Sequence, residues 1–467
     1  MAALWQLGAL QLADLIRKQE TTSRQVLDAL LARVDAVNGD LNAVVALVPE
    51  AAAAADAADR AVAEGAELGP LHGVPITVKE NIDVAGSATT NGVPAFEDAR
   101  APLDAPVVER MRAAGAIPFA RTNLPDFGLR VHTDSALRGL TRNPWRQDVT
   151  AGGSSGGEGS ALASGMSPLG LGNDIGGSLR NPAHCCGIAS IKPSTGVVPH
   201  ASSLPPVEQT IMFQLMAVQG VMARRVADVR AGLLAVAGAH VRDPLALPVE
   251  LAEPLPGAVL RVAVLPEPPG CDTHPGIAAA IRATAELLAA DGHIVEDIAP
   301  AGFERTGDVW SGLLTTELRS LRPLLDSVMG DGGRTFLDHA MSGTPVFDTE
   351  GVTYLHLERN AADLEWHAFL TDWDVLLTPT WTQPPFRHGA DLASAEGALA
   401  VLDQLRPVLP ANLLGLPAAV VPCAVVDGLP VGAQFTARRF ADLTVLTAAQ
   451  AVEDAVGTFT PIDPVLG

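Results

Sequence analysis

Gly152-Gly153-Ser154-Ser155-Gly156-Gly157-Glu158-Gly159-Ser160, running on to Asn173-Asp174-Ile175-Gly176-Gly177-Ser178-Leu179-Arg180, is the stretch on which the reading of this chain turns. It sets hydroxyls, flexible backbone and one acid–base pair, Asp174 and Arg180, in a short span. Glycine loses more conformational freedom on folding than any other residue. A run this dense therefore marks backbone that turns tightly, or that approaches something with its N–H groups exposed.

Four chemistries compete for the stretch. A phosphate-binding P-loop ends in Gly-Lys-Ser/Thr, and no lysine lies between Gly152 and Asn181. Gly170-Leu171-Gly172 lacks the third glycine of a dinucleotide fingerprint. Gly152-Gly153-Ser154-Ser155-Gly156 fits the G-x-S-x-G nucleophile elbow, which requires a strand just before the serine. The preceding Arg142-Asn143-Pro144-Trp145-Arg146-Gln147-Asp148 is polar and holds a proline, a poor central strand. None of the eleven histidines stands in a distinctive setting, so the hydrolase elbow with Ser154 as nucleophile is the runner-up. His184-Cys185-Cys186 offers metal-ligand types without a second ligand pair, and reads better as small thiols buried near a helix end.

The bland reading, a glycine-rich turn with capping serines, is weakened by Asp174 to Arg180. Successive N–H groups at Ile175, Gly176, Gly177 and Ser178 form a nest that can hold an oxyanion, with a serine at its end to attack the carbonyl. That hydroxyl needs a base. Lys79 ends the apolar run Val74-Pro75-Ile76-Thr77-Val78, where burial would lower its pKa toward neutrality. Taken alone, a lysine at a strand end is a solvated charge.

The bulk composition narrows the partners. The chain has 467 residues, is 48% hydrophobic and 18% charged, and carries a net charge of −22. Such a chain builds a large core, and without clustered Lys or Arg it is not expected to bind nucleic acid. Met1-Ala2-Ala3-Leu4-Trp5 is no signal peptide by its pattern. The uncharged stretch 407–426 contains Pro407, Pro410, Pro417 and Pro422, so it reads as buried strand and turn, not as a membrane span. Four cysteines without a CxxC indicate a reduced, cytoplasmic protein.

Periodicity places the elements. Thr22 or Ser23 caps a helix with Val26, Leu27, Leu30, Leu31 and Val34 on one face. Pro49 opens an alanine-rich helix to about Glu64. Strands are expected near 74–79 and 117–120, with a helix over 107–114 between them. Strand–helix alternation indicates an α/β protein with a mixed, largely parallel sheet flanked by helices on both faces. A βαβ unit is expected over 260–298, then mostly helix, before motif-like sequence resumes at Trp373-Asp374-Val375-Leu376-Leu377-Thr378-Pro379. One elaborated domain over 1–467 is expected, with a core at about 73–200 and an appended middle at about 225–370.

These residues resemble the amidase signature hydrolases. The matching pieces are Gly152 to Gly157, Asp174 to Arg180, Cys186-Gly187 with Lys192-Pro193, and Gly73 to Asn81. Thr122-Asn123-Leu124-Pro125, Arg142-Asn143-Pro144-Trp145, Gly415-Leu416-Pro417-Ala418 and Gly428-Leu429-Pro430-Val431-Gly432 add to them, so the likeness covers about 5–455. The middle carries no family motif, and Cys185, Asn173 and Ser190-Ile191 depart from the usual pattern. The resemblance implies the amidase signature fold and a Ser–cisSer–Lys triad on Ser178, Ser154 and Lys79. It implies an oxyanion hole from Ile175, Gly176, Gly177 and Ser178, substrate contacts at Gly128 and Ser154, and a structural Asp174–Arg180 pair. It implies hydrolysis of amide C–N bonds, and of related carbamates, anilides or esters, in small neutral apolar or aryl substrates. No cofactor, metal or membrane is implied, and a monomer or homodimer is expected. The ammonia-supplying component of the transfer-RNA-dependent amidotransferases, which shares the triad, and a non-catalytic binding protein on the same fold are the alternatives.

Overall fold

The structure, a computed structural model, describes residues 3–205, 207–255 and 257–465. Of the amino-terminal stretch read above, Met1 and Ala2 lie outside the described residues. The strands in chain order are β1 (Val44–Leu47), β2 (Pro75–Lys79), β3 (Ile117–Thr122), β4 (Asp134–Ser135), β5 (Gly139–Leu140), β6 (Leu169–Asp174) and β7 (Ala189–Lys192). They continue with β8 (Val218–Ala223), β9 (Arg261–Val264), β10 (Ile294–Asp297), β11 (Val375–Pro379), β12 (Ala418–Val426) and β13 (Leu429–Thr436). β4 and β5 pair with each other, and the rest form one 11-stranded sheet ordered β1-β3-β2-β6-β8-β7-β12-β13-β11-β9-β10.

The sheet is mixed and surrounded by helices. Parallel pairings form two blocks, β3-β2-β6 and β11-β9-β10. The six pairings elsewhere are antiparallel. The tightest of these, β12 with β13, turns through Asp427 and Gly428 at φ 52° and 77°. Positive φ at both central residues gives the twist that a two-residue hairpin requires. β2, β3, β7, β11 and β13 are buried at every position, so their side chains meet core on both faces and their sequences do not alternate.

The early elements follow their sequence signals. Thr22 Oγ1 accepts from the Gln25 N–H at the start of the Ser23–Leu41 helix, and the Gln25 side chain accepts from the Thr22 N–H in return. The alanine-rich helix spans Ala51–Ala63, and the next Pro106–Ala113. The expected βαβ unit is β9, the Pro275–Ala290 helix and β10, and it extends the same sheet through β11. Three long helices follow, Phe303–Val328, Asp331–Ser342 and Thr349–Asp372, packed over a second core around Trp366, Leu313 and Phe336.

One expectation is corrected. The stretch 407–426 is not all strand and turn: Arg406–Val408 is a 3₁₀ turn and Leu409–Leu413 a short helix, and only then does β12 begin. Pro407 and Pro410 stand in the first turn of each, where no N–H is missed. Among the described residues no helix is long and apolar enough to cross a membrane.

Candidate active site

Two parallel neighbours bring the chemistry together. β2 pairs with β6 through Thr77↔Gly170 and Val78↔Leu171, so both strands end at the same edge of the sheet. Lys79 is the last residue of β2, and Asn173 and Asp174 are the last of β6. Crevices beyond the carboxyl ends of parallel strands are where α/β sheets place ligands.

Lys79 is wholly buried. Its Nζ lies 2.7 Å from Ser154 Oγ and 2.6 Å from Asn173 Oδ1. Burial, against the charges of Asp174 and Glu158, brings its pKa down to about 7. Asn173 Nδ2 in turn donates to Asn81 Oδ1 at 3.0 Å, so the amide presents its oxygen to the lysine.

The glycine run before Ser154 is set by close approach. A Cβ on Gly153 would lie 2.6 Å from the His132 nitrogen, and one on Gly152, at φ 82°, 2.6 Å from Asn181 Oδ1. The peptide Gly153–Ser154 is cis. Loop, not strand, precedes Ser154, as the polar 142–148 segment indicated. Among the described residues no histidine hydrogen-bonds to Ser154 or Ser178, which removes the support an elbow at Ser154 needs. Ser155 begins the Gly156–Ala163 helix, and its N–H donates to the Ser178 carbonyl at 3.2 Å, tying the two serine loops together. Ser154 is 2% exposed and Ser178 7%, so both hydroxyls lie in a nearly closed space. Gly128, at φ 69°, closes over Ser154: a Cβ there would meet Ser154 Oγ at 3.1 Å.

The turn after β6 is held by a buried ion pair. Arg180 Nε and Nη2 donate to the two Asp174 oxygens at 3.0 and 2.9 Å. Burial pushes the Asp174 carboxyl up, but the Arg180 charge and the hydrogen bonds from Arg180, Asn412 and Gly177 outweigh it and hold the group well below the usual carboxylate range. Asp174 also accepts from the N–H groups of Gly177 (2.8 Å) and Leu179 (3.0 Å). This corrects one expectation: the Gly177 N–H is committed to Asp174. The N–H groups of Ile175, Gly176 and Ser178 donate to no protein acceptor among the described residues.

Three neighbours escaped the sequence reading. Glu158 is wholly buried and accepts from Thr77 Oγ1 at 2.7 Å, two residues before Lys79 on β2. Burial raises its pKa to about 8, against the Thr77 hydrogen bond and the Lys79 charge. Its signal was a lone charge inside a glycine–serine run. Asn412 and Gln434 accept from Arg180 Nη2 and Nη1 at 2.6 and 2.9 Å, and nothing in their local sequence marks them. Cys185 and Cys186 end the Arg180–Cys186 helix as buried thiols, and no group of three metal-ligating side chains occurs among the described residues.

The Amidase family profile matches residues 25–446. Indoleacetamide hydrolase of Bradyrhizobium diazoefficiens is 40% identical over 97% of this chain and 87% of its own length. A glutamyl-tRNA(Gln) amidotransferase component of Deinococcus radiodurans is 34% identical over 96% of this chain and 97% of its own. The solved structure of 6-aminohexanoate cyclic dimer hydrolase superposes with a TM-score of 0.83 at 30% identity, covering 98% of each chain. The fold, the family match and the relatives agree, and the chain belongs to the Amidase family as a hydrolase of amide C–N bonds.

Proposed function

We propose that the chain cleaves small neutral apolar or aryl amides through an acyl-enzyme on Ser178, with Ser154 as proton relay and Lys79 as base. The observation that carries this reading is Lys79: an amine brought to about pKa 7 by burial, 2.7 Å from a serine hydroxyl. Neutral Lys79 takes the Ser154 proton, and Ser154 takes the proton of Ser178. Ser178 Oγ bonds to the carbonyl carbon while the C=O π pair moves onto oxygen. The N–H groups of Ile175, Gly176 and Ser178 receive that oxyanion. On collapse the C–N bond breaks, and the amine leaves with the proton returned through Ser154. Water then repeats the attack and releases the acid, restoring Ser178. Asp174 and Arg180 hold the turn, and Gly128 and Ser154 contact the substrate.

Half-buried Phe127, Leu129, Ile175 and Trp310 around the site favour an apolar or aryl substrate. The name of the Bradyrhizobium relative makes an indole-type acetamide the first compound to try. Carbamates present the same C(=O)–N carbonyl, so urethane cleavage belongs to the reading. We place the protein in the cytoplasm as a monomer or homodimer, one domain whose 225–370 region shapes the pocket. Glutamine hydrolysis inside a transfer-RNA-dependent complex is the second reading, supported by the Deinococcus relative at lower identity.

Labelling by a serine-directed fluorophosphonate tests the mechanism: wild type is expected to label and Ser178→Ala not to. An unlabelled wild type would sink it. A panel of amides, anilides, esters, carbamates and glutamine, read by mass detection, tests the substrate class. Turnover of glutamine alone, or copurification with the other components of an amidotransferase, would replace the first reading by the second.

A further inference from the structure

Trp310 lies in the Phe303–Val328 helix, in the part of the chain that carries no family motif. Its Nε1–H donates to the Ile175 carbonyl at 2.9 Å. The same ring edge runs along the next residue: a Cβ on Gly176 would lie 2.6 Å from Trp310 Cζ2. Gly176 has no positive φ, so here glycine is required by the indole's approach and not by backbone conformation. The Ile175 carbonyl and the Gly176 N–H belong to one trans peptide, and in a trans peptide these two groups point in opposite directions. Whatever fixes the carbonyl therefore aims the N–H. A donor on the carbonyl also polarises the N–H at the other end of the same amide.

We propose that Trp310 is a positioning residue of the oxyanion hole, orienting and polarising the Gly176 N–H through its hydrogen bond to the Ile175 carbonyl. The inference rests on the acyl-enzyme reading, in which that N–H receives the oxyanion. It gives the middle region a role in the chemical step as well as in pocket shape. Val408, which a Cβ on Gly177 would meet at 2.7 Å, backs the same turn but offers no hydrogen bond from its side chain.

Trp310→Phe keeps an aromatic ring and removes the donor. Losing one oxyanion donor outright costs about 10²–10³ in kcat. Misaiming one is expected to cost about tenfold in kcat, with KM within about threefold. Affinity for a trifluoromethyl ketone, which forms a tetrahedral adduct on the serine, is expected to fall in parallel with kcat/KM. Affinity for the hydrolysed acid, which forms none, is expected to hold. If Trp310→Phe folds poorly, 3-benzothienylalanine at 310 keeps the ring shape and replaces only the N–H. Unchanged kcat and ketone affinity, or equal loss of ketone and acid affinity, would overturn the inference while leaving Ser178 labelling intact. A wild type that fluorophosphonate does not label would overturn the acyl-enzyme reading and this inference with it.

Discussion

The chain holds three lysines, and two of them are buried. Lys192, like Lys79, is brought to about 7, by burial and then by the Arg180 charge. Its Nζ donates to the Pro193 and Leu416 carbonyls at 2.8 and 2.7 Å, so its protons are held by groups that cannot give one back. Among the described residues only Lys79 of the three hydrogen-bonds to a hydroxyl, and this contact, more than the titration, singles it out. A base must be neutral to act. kcat/KM is therefore expected to rise with pH through about 7 as Lys79 loses its proton, and a profile flat across that range would contradict the assignment. Glu158 bears on the same limb. Burial pushes its carboxyl up to about 8, and its charge works against the lowering of Lys79. Glu158→Gln, which removes that charge, is expected to move the acid limb to lower pH. A limb that stays in place would mean that Glu158 is neutral where Lys79 titrates. The serines and Lys79 were legible because the motif residues stand in the sequence. The partners that tune Lys79 were not, because burial and a neighbour's charge are set by packing.

At the scale of elements, glycines divide by what faces them. Gly157 lies in the Gly156–Ala163 helix, where a Cβ would sit 2.4 Å from the Asn123 nitrogen and 2.5 Å from its carbonyl oxygen. Both are backbone atoms and cannot step aside. Gly157→Ala is expected to cost about 3 kcal/mol, read as a lower denaturant midpoint. Gly39 lies in the Ser23–Leu41 helix with nothing within 4 Å of a Cβ and no positive φ. Gly39→Ala is expected to raise stability by about 0.5–1 kcal/mol, because alanine has the better helix propensity. A midpoint raised by Gly157→Ala would contradict the close packing there, and one lowered by Gly39→Ala would contradict the open space around Gly39. Helices with caps and a clear apolar face were readable from sequence. The Leu409–Leu413 helix was not, since five residues give no period and its proline reads as a breaker.

Across the whole molecule, Arg180 joins parts distant in sequence. Its guanidinium meets Asp174 at the turn after β6, the Val408 carbonyl, Asn412 and, on β13, Gln434. Neither Asp174 nor Arg180 has exposed side-chain surface. Removing one partner of such a pair leaves a buried charge uncompensated, so Arg180→Ala is expected to cost about 3–5 kcal/mol at neutral pH. A loss below about 1 kcal/mol on urea unfolding would show that water replaces the guanidinium. The sign with pH follows from the depressed Asp174 pKa. The stabilisation is complete above the unfolded carboxylate range and is lost progressively as pH falls from that range to the much lower folded value. A second long-range tie holds the middle region: Asp126, beside Phe127 and Gly128, accepts from the Gly330 N–H at 2.7 Å. By itself the sequence determined the candidate reactive groups, their order along the chain, and the apolar strand that ends in Lys79. Those properties are local: a hydroxyl, a cap or an apolar period is present in the residues themselves. Only the tertiary structure decided that the Gly177 N–H belongs to Asp174, that Glu158 lies beside Lys79, and that an indole from the motif-free middle holds the Ile175 carbonyl. Those properties depend on distance and exclusion of water, to which residues far apart in the chain contribute together, and no short stretch contains them.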